Sequence, residues 1–98
     1  MRVLDLLQLL SDHNKNTPVR VKIAGVLQNL ATFDLQTVDE QRQLWFHPQP
    51  AGKPMKVWEV MLLLDKPEWR QAYVYVIEPD DIRPLFGFQE TPSGLALN

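Results

Sequence analysis

The 98-residue sequence predicts an α+β protein: a tandem duplication of one α-β-β-β unit, with helices packed on antiparallel sheets and the two copies related by a pseudo-twofold axis. Two observations predict this fold class. Residues 1–10 resemble residues 55–64 position by position, and a β-branched or aromatic run follows each of these segments in the same order. A chance likeness between two amphipathic helices would not account for the second match.

Each of the two matching segments is predicted to form an amphipathic helix. Their apolar residues are spaced i, i+3, i+4 and i+7, which places them on one helical face. Asp5 and Gln8 interrupt the first segment, so we expect a helix of the folded protein there and not a signal peptide. The apolar positions are Val3, Leu6, Leu7 and Leu10 in the first copy and Val57, Val60, Met61 and Leu64 in the second.

The strands and turns predicted for the two copies divide the chain. Turn-forming residues at 24–25, 38–41, 78–81 and 91–94 separate predicted strands at 19–23, 33–36 and 44–46, and at 73–77, 86–89 and 95–97. A segment rich in proline and glycine, residues 49–54, separates repeat 1 (1–48) from repeat 2 (55–98). Because neither repeat alone would bury enough apolar surface, the two are expected to share one core in a single domain.

The composition limits which compartment and which partners are expected for the protein. The net charge is −2, so the chain as a whole has no strong attraction to nucleic acid or anionic lipid. The absence of cysteine fits a reducing compartment, and a cytoplasmic location is predicted. No apolar run approaches the roughly 18 to 20 residues that span a membrane, so no membrane partner is expected.

Titratable residues show no spacing typical of a reaction centre or a metal site. His13 and His47 are the two histidines, and neither has an acidic neighbour at ligand spacing. Glu78, Asp80 and Asp81 surround Pro79 and are typical of a turn. The sequence therefore predicts no catalytic residues, no cofactor and no metal.

A small basic face is predicted on the first strand. Arg20 and Lys22 alternate with apolar residues, which places both cations on the outer side of the sheet, where they could contact nucleic-acid phosphates. Asp34 and Gln36 are expected on the same face of the next strand. The alternative is a cross-strand charge pair on a solvated sheet face.

An apolar partner-binding surface is predicted in the second copy. The duplication aligns Val74 and Val76 with Arg20 and Lys22, and it places Tyr73, Tyr75 and Ile77 toward the core. Leu85 would extend the outer apolar face, and Trp69 lies in a polar loop nearby. An exposed face of this kind is either covered by the chain itself, with Trp69 folding back over it, or used for binding. The predicted partner-binding residues are Trp69, Val74, Val76 and Leu85.

These observations favour a non-enzymatic protein-interaction or regulatory module whose partner is a protein, most simply a second copy in a homodimer. One alternative is a nucleic-acid-associated protein that uses Arg20 and Lys22, whose binding would depend steeply on salt. Another alternative is a small enzyme whose site is assembled from residues far apart in the sequence. Trp45 and Trp58 are expected in the core or at its edge.

Overall fold

The computed structural model describes residues 1–98 and shows one curled mixed sheet, shaped as a half-barrel, with two short helices. The helices are α1 (Val3–Ser11) and α2 (Val57–Leu64). The strands are β1 (Pro18–Ile23), β2 (Val26–Val38), β3 (Gln41–Gln49), β4 (Met55–Lys56), β5 (Tyr73–Glu78), β6 (Asp81–Pro84), β7 (Phe88–Thr91) and β8 (Gly94–Leu97). Seven of them follow one another in the sheet in the order β6-β5-β3-β2-β1-β8-β7, and the eighth, β4, pairs with β1 off this path.

The predicted fold class, an α+β duplication of an α-β-β-β unit on antiparallel sheets in a pseudo-twofold arrangement, is wrong. About half of the residues lie in strands, and the helices are short. One mixed sheet replaces the antiparallel sheets, because β3 pairs parallel with β5 and β1 pairs parallel with β8. Local alternation identifies strands but carries no information about their partners, which lie far away in the sequence.

The parallel pairings connect the N-terminal and C-terminal halves of the chain. Residues Gln43–Phe46 pair with Tyr73–Val76, and residues Val19–Val21 pair with Leu95–Leu97. Both halves therefore contribute to one cluster of 19 buried core residues. Neither half covers its own apolar face.

The apolar stripes predicted for the two helices are confirmed. Val3, Leu6, Leu7 and Leu10 are buried on α1, and Val57, Val60 and Leu64 are buried on α2, while Met61 is partly buried. The amide preceding each helix donates to the acid three residues later, from Arg2 to Asp5 at 2.9 Å and from Lys56 to Glu59 at 3.1 Å. Neither helix has the length and apolar character needed to cross a membrane.

Each helix also begins by donating backbone amides to a loop of the opposite half. In α1, Val3 and Leu4 donate to the carbonyl oxygens of Ala72 and Arg70 at 2.9 and 3.0 Å. In α2, the corresponding bonds run from Val57 to Thr17 at 2.9 Å and from Trp58 to Lys15 at 3.1 Å. The first amides of a helix have no partner within it, so these bonds fix each helix at its N-terminus. Because each accepting loop follows the end of the other helix, α1 and α2 lie side by side and antiparallel.

The predicted turns at 24–25 and 38–41 are confirmed, and each joins two antiparallel strands. Ala24 and Gly25 have φ angles of 49° and 80°, and Asp39 and Glu40 have φ angles of 49° and 68°. Two consecutive residues with positive φ are typical of the tight turns in β-hairpins. The strand β2 is much longer than predicted, because it continues through an irregularity between Leu30 and Thr32.

Gly94 makes the parallel pairing of β1 and β8 possible. Its φ is 126°, and a Cβ atom at this position would overlap the backbone carbonyl oxygen of Pro18 on β1. We predict that Gly94→Ala lowers the free energy of unfolding by about 2 kcal/mol or more, because the overlap is with backbone and the strands must separate. Urea unfolding measures the loss.

Gly87→Ala is the matched control for this substitution. A Cβ atom on Gly87 would meet nothing within 4 Å. Its free energy of unfolding should stay within about 0.5 kcal/mol of the unchanged chain. Equal stability of the two alanine variants would contradict the close packing of β8 on β1.

Candidate functional site

The predicted partner-binding residues of the second half lie in the core. Val74, Val76 and Leu85 are fully buried within the single chain, so the prediction that they face outward is wrong. Tyr73, Tyr75 and Ile77, which were expected in the core, are instead half-buried on the opposite face of β5. The three buried aliphatic side chains therefore offer no surface to a partner.

A shift of one residue explains the reversed faces of β5. The duplication matched Tyr73 with Val19, but the residue that shares the buried position of Val19 is Val74. Side chains alternate along a strand, so a slip of one residue moves every side chain to the other face. The run Tyr73–Ile77 contains no charged residue that would have fixed the face from sequence.

Trp69 folds back onto the protein. It ends a short 3₁₀ turn, Pro67–Trp69, and packs partly buried against the core. The Lys66 ammonium lies 4.0 Å from the centre of its ring, in the geometry of a cation–π contact. Trp69 therefore packs on its own chain, but it covers no outer face of Val74 and Val76, because these two side chains lie in the core.

Arg20 and Lys22 lie on the outer side of β1, as predicted. The Arg20 guanidinium donates to the carbonyl oxygen of Ser93 at 3.2 Å, and Lys22 is exposed. Asp34 forms no ion pair with either cation, because β1 pairs with residues 26–29 of β2, whereas Asp34 lies farther along β2 and contacts His47 on β3. The predicted charge pair between β1 and β2 is therefore absent.

Asp34 and His47 form a polar pair on the outer face of β2 and β3. His47 Nε2 donates to Asp34 Oδ2 at 3.0 Å, and Gln36 Nε2 donates to Asp34 Oδ1 at 2.8 Å. The hydrogen bond from His47, followed by that from Gln36, lowers the pKa of the Asp34 carboxyl below its ordinary value of 3.8. The pair holds its own strands together, and both side chains remain partly open to solvent.

Trp45 lies on this same outer face and not in the core. Its indole Nε1 donates to Gln43 Oε1 at 3.0 Å, and Tyr75 on the adjacent strand donates to Gln41 Oε1 at 3.3 Å. Leu44 and Phe46, which flank Trp45, are the buried residues of this strand. The outer face is thus a polar and aromatic surface whose hydrogen-bonding groups bind one another.

Several other titratable side chains form contacts at turns and at the end of a helix. His13 Nδ1 donates to the carbonyl oxygen of Leu9 at 3.0 Å, and His13 Nε2 lies 3.1 Å from Glu90 Oε1. Asp81 accepts the amide of Ile82 at 2.8 Å, as expected of a turn residue. Glu78 pairs with Arg83 at 3.2 Å across the β5–β6 hairpin. These contacts give each group a structural role.

An exposed apolar surface lies on the paired helices. Leu62 is 70% exposed and Trp58 is 46% exposed, one helical turn apart on α2. Between α1 and α2 runs a groove of about 480 Å³, whose lining residues are Leu4, Leu7, Trp58, Met61, Leu62, Asp65 and Arg70. We call this groove, together with the exposed ridge that Trp58 and Leu62 form on α2, the helical face. Trp58 is therefore more exposed than predicted.

A comparison of the two helices shows which residue of the helical face is unusual. Gln8 is the sixth residue of α1 and Leu62 is the sixth residue of α2, and both are exposed. In α1 this outward position carries an amide, as a solvated helix face requires, whereas in α2 it carries a leucine. Leu62 was not predicted as a binding residue, although its mismatch with Gln8 was available as a signal in the sequence.

A second, smaller groove lies on the other side of the α2 ridge. It has a volume of about 260 Å³, and its lining residues are Ala31, Thr32, Phe33, Leu63, Lys66 and Trp69. Leu63 is exposed at its edge. The apolar surface of α2 is therefore continuous across the ridge.

Exposed apolar residues also lie outside α2. Phe86 is 77% exposed, but it stands in the connection between β6 and β7. Val26 and Ile82 lie at hairpin ends, on different strands. Single exposed apolar side chains are normal on protein surfaces, whereas adjacent ones beside a groove indicate binding.

Comparisons with protein-family models, curated proteins and solved structures find no match to this chain.

The hydrogen bonds to Asp34 predict how its carboxyl group titrates. A group whose pKa is lowered by folding stabilises the fold above its unfolded pKa and loses that contribution as the pH falls through the folded pKa. We predict that Asp34 titrates below 3.8 and that His47→Gln raises its pKa toward that value. Carboxyl carbon NMR across the acid range measures the titration.

His13→Gln is the control for this titration, because His13 contacts Glu90 and not Asp34. It should leave the pKa of Asp34 unchanged. A wild-type Asp34 that titrates at or above 3.8, or an equal response to both histidine substitutions, would show that the His47 bond does not form in solution.

Proposed function

We propose that this chain is a non-enzymatic protein-interaction module and that its working surface is the helical face. The observation that carries the proposal is Leu62, an apolar side chain that is 70% exposed on α2. Core residues already fill the inner face of the helix, so folding does not require a leucine on the outer face. Removal of Leu62 from water by a bound partner would contribute favourably to the free energy of association.

The chemistry of the groove supports contact with a protein. Most of its lining side chains are aliphatic or aromatic. Its charged groups are Asp65 and Arg70, which neutralise each other at 2.8 Å. Interfaces commonly combine a tryptophan and aliphatic anchors at the centre with charged residues at the rim.

The basic face gives less support to the nucleic-acid alternative. Arg20 is engaged by the carbonyl of Ser93, and the adjacent strand positions opposite it are Asn29 and Ala96, which carry no charge. Electrostatic binding to nucleic acid requires several cations that track the phosphates. An apolar helical face, in contrast, would retain its affinity at high salt.

Site-specific photo-crosslinking tests the proposal. The chain contains no cysteine, so Leu62→Cys provides a single attachment point for a benzophenone maleimide. After irradiation in an extract of the source cells, we expect a discrete adduct with a protein that mass spectrometry identifies. The same label on Lys53→Cys, in the exposed loop after β3, should give no such adduct.

A second variant tests whether the adduct depends on the helical face. Adding Trp58→Lys to the labelled chain removes the neighbouring apolar side chain and should abolish the adduct while thermal unfolding remains cooperative. Equal labelling from positions 62 and 53, or an adduct that survives Trp58→Lys, would show that the helical face is not the binding surface.

A further inference from the structure

We propose that a second copy of this chain binds at the free edge of β7, so that two sheets join through antiparallel pairing of their β7 strands. The inference goes beyond the proposed function, because it concerns a surface separate from the helical face. The strands β6 and β7 end the sheet, and each pairs with one neighbouring strand only. A strand at the end of a sheet presents unpaired backbone groups that bind another strand unless they are blocked.

The backbone groups of Phe88 and Glu90 point toward this free edge. Gly87 and Asn98 exchange two backbone hydrogen bonds, at 3.1 and 3.0 Å, and so fix the alternation along the β7–β8 ladder. In an antiparallel ladder, hydrogen-bonded pairs alternate with pairs that do not bond each other. Gln89 therefore bonds to β8, whereas the N–H and C=O groups of Phe88 and Glu90 point away from it. These four groups can bind a further strand.

The opposite edge of the sheet, β6, is blocked. Leu85 donates to the carbonyl oxygen of Val74 at 2.9 Å and so fixes the alternation along β5 and β6. Ile82 and Pro84 are therefore the residues that point outward. Pro84 has no N–H, and the amide of Ile82 donates to the side chain of Asp81 at 2.8 Å. The strand β6 thus offers no free N–H to a partner, whereas β7 offers two.

The two outward residues of β7 complement the same residues of another copy. In a twofold interface, residue i of one chain contacts residue j of the other, and j contacts i. An axis at Gln89 places Phe88 opposite Glu90 of the partner and Glu90 opposite Phe88 of the partner. Each of the two pairs exchanges two hydrogen bonds, so all four outward groups are bonded.

Other registers satisfy fewer groups. An axis at Glu90 would place like charges opposite each other and would pair Phe88 with Pro92, which has no N–H. An axis at Phe88 would pair Glu90 with Phe86, whose N–H is already bound within its own chain. The backbone of β7 therefore favours the axis at Gln89.

The side chains near the edge fit this register. Phe86 is 77% exposed, and the axis at Gln89 places it opposite Pro92 of the partner, which is also exposed. Contact between these two rings would remove apolar area from water at both ends of the pairing. Glu90 keeps its contact with His13 at 3.1 Å and lies opposite a phenylalanine, so like charges are not directly opposite each other.

The length of the edge sets the expected strength. The strand β7 has four residues, so the contact is small beside a standard interface of about 1,200–2,000 Å² of total buried area. We therefore expect reversible association with a Kd of about 100 μM to about 1 mM. Sedimentation equilibrium across this range of protein concentration reports the mass directly.

A proline substitution tests the backbone pairing. Glu90→Pro removes one outward N–H from each chain but no bond to β8, and proline is tolerated in the end strand of a sheet. Glu90→Ala is the matched control, because it removes the same side chain and keeps the N–H. We expect Glu90→Ala to associate within about threefold of the unchanged chain. Glu90→Pro should associate about tenfold more weakly or worse, because two of the four hydrogen bonds are lost.

A disulfide tests the register without a proline variant. The chain contains no cysteine, and Gln89 is exposed. In the proposed pairing, position 89 faces itself across the axis with the two Cα atoms about 4.5 Å apart, which is within the range of a disulfide. Gln89→Cys should therefore oxidise to a linked dimer about tenfold faster than Lys53→Cys, because association raises the local concentration of its thiols. Lys53 is exposed in the loop after β3.

A wild-type chain that stays monomeric across the concentration range overturns this inference. A Glu90→Pro variant that unfolds cooperatively and associates as well as Glu90→Ala, or equal rates of disulfide formation at positions 89 and 53, would also overturn it. Leu62→Gln should leave the association unchanged, because Leu62 lies on the helical face. Loss of association in that variant would assign the dimer to the helical face and exclude the pairing of β7, while the proposed function would stand.

Discussion

The parallel pairing of strands from opposite halves is the constraint on which the rest of the structure depends. The strand β1 pairs with β8 and β3 pairs with β5, so the two halves complete one sheet. The helices also connect the two halves, because the first backbone amides of each helix donate to carbonyl oxygens of the other half. The core is therefore common to the whole chain, and strands that are distant in sequence must meet before it can form.

This shared core determines which apolar residues remain at the surface. The core includes Val74, Val76 and Leu85, which were predicted from the sequence to lie at an interface. It also takes up the inner stripes of both helices, which leaves the outer side of α2 with Leu62 and Trp58 in solvent. The proposed working surface is thus the apolar surface that remains after folding.

Local patterns could be read from the sequence, and non-local pairings could not. The helical stripes and two tight turns follow from spacing and residue type within about ten residues, and both were predicted correctly. The face of β5 was wrong because Tyr73–Ile77 is apolar on both sides, so only its neighbours β3 and β6 determine which side is buried. The contacts of His13 with Glu90 and of Arg83 with Lys22 join residues far apart in sequence and leave no local pattern.

The candidate site was missed for a different reason. Leu62 lies in the run Met61–Leu64, where every residue is apolar, so the run by itself does not show which side chain points outward, and only the comparison with Gln8 of α1 singles out Leu62. Burial of Val60 and Leu64 resolves this, because it sets the rotation of α2 about its axis and turns Leu62 toward solvent. The aliphatic residues predicted to bind a partner are buried, and the surface proposed in their place lies on α2.

The three tryptophans allow a direct test of the helical face as the working surface. Trp45 lies on the outer sheet face, Trp58 lines the groove and Trp69 packs behind α2, so their indole N–H signals report three separate surfaces. In ¹⁵N-edited NMR spectra recorded as an unlabelled extract of the source cells is added, we expect the Trp58 signal to shift while the Trp45 signal stays fixed. A Trp45 signal that shifts while that of Trp58 does not would contradict the account, because the binding surface would then be the outer face of the sheet.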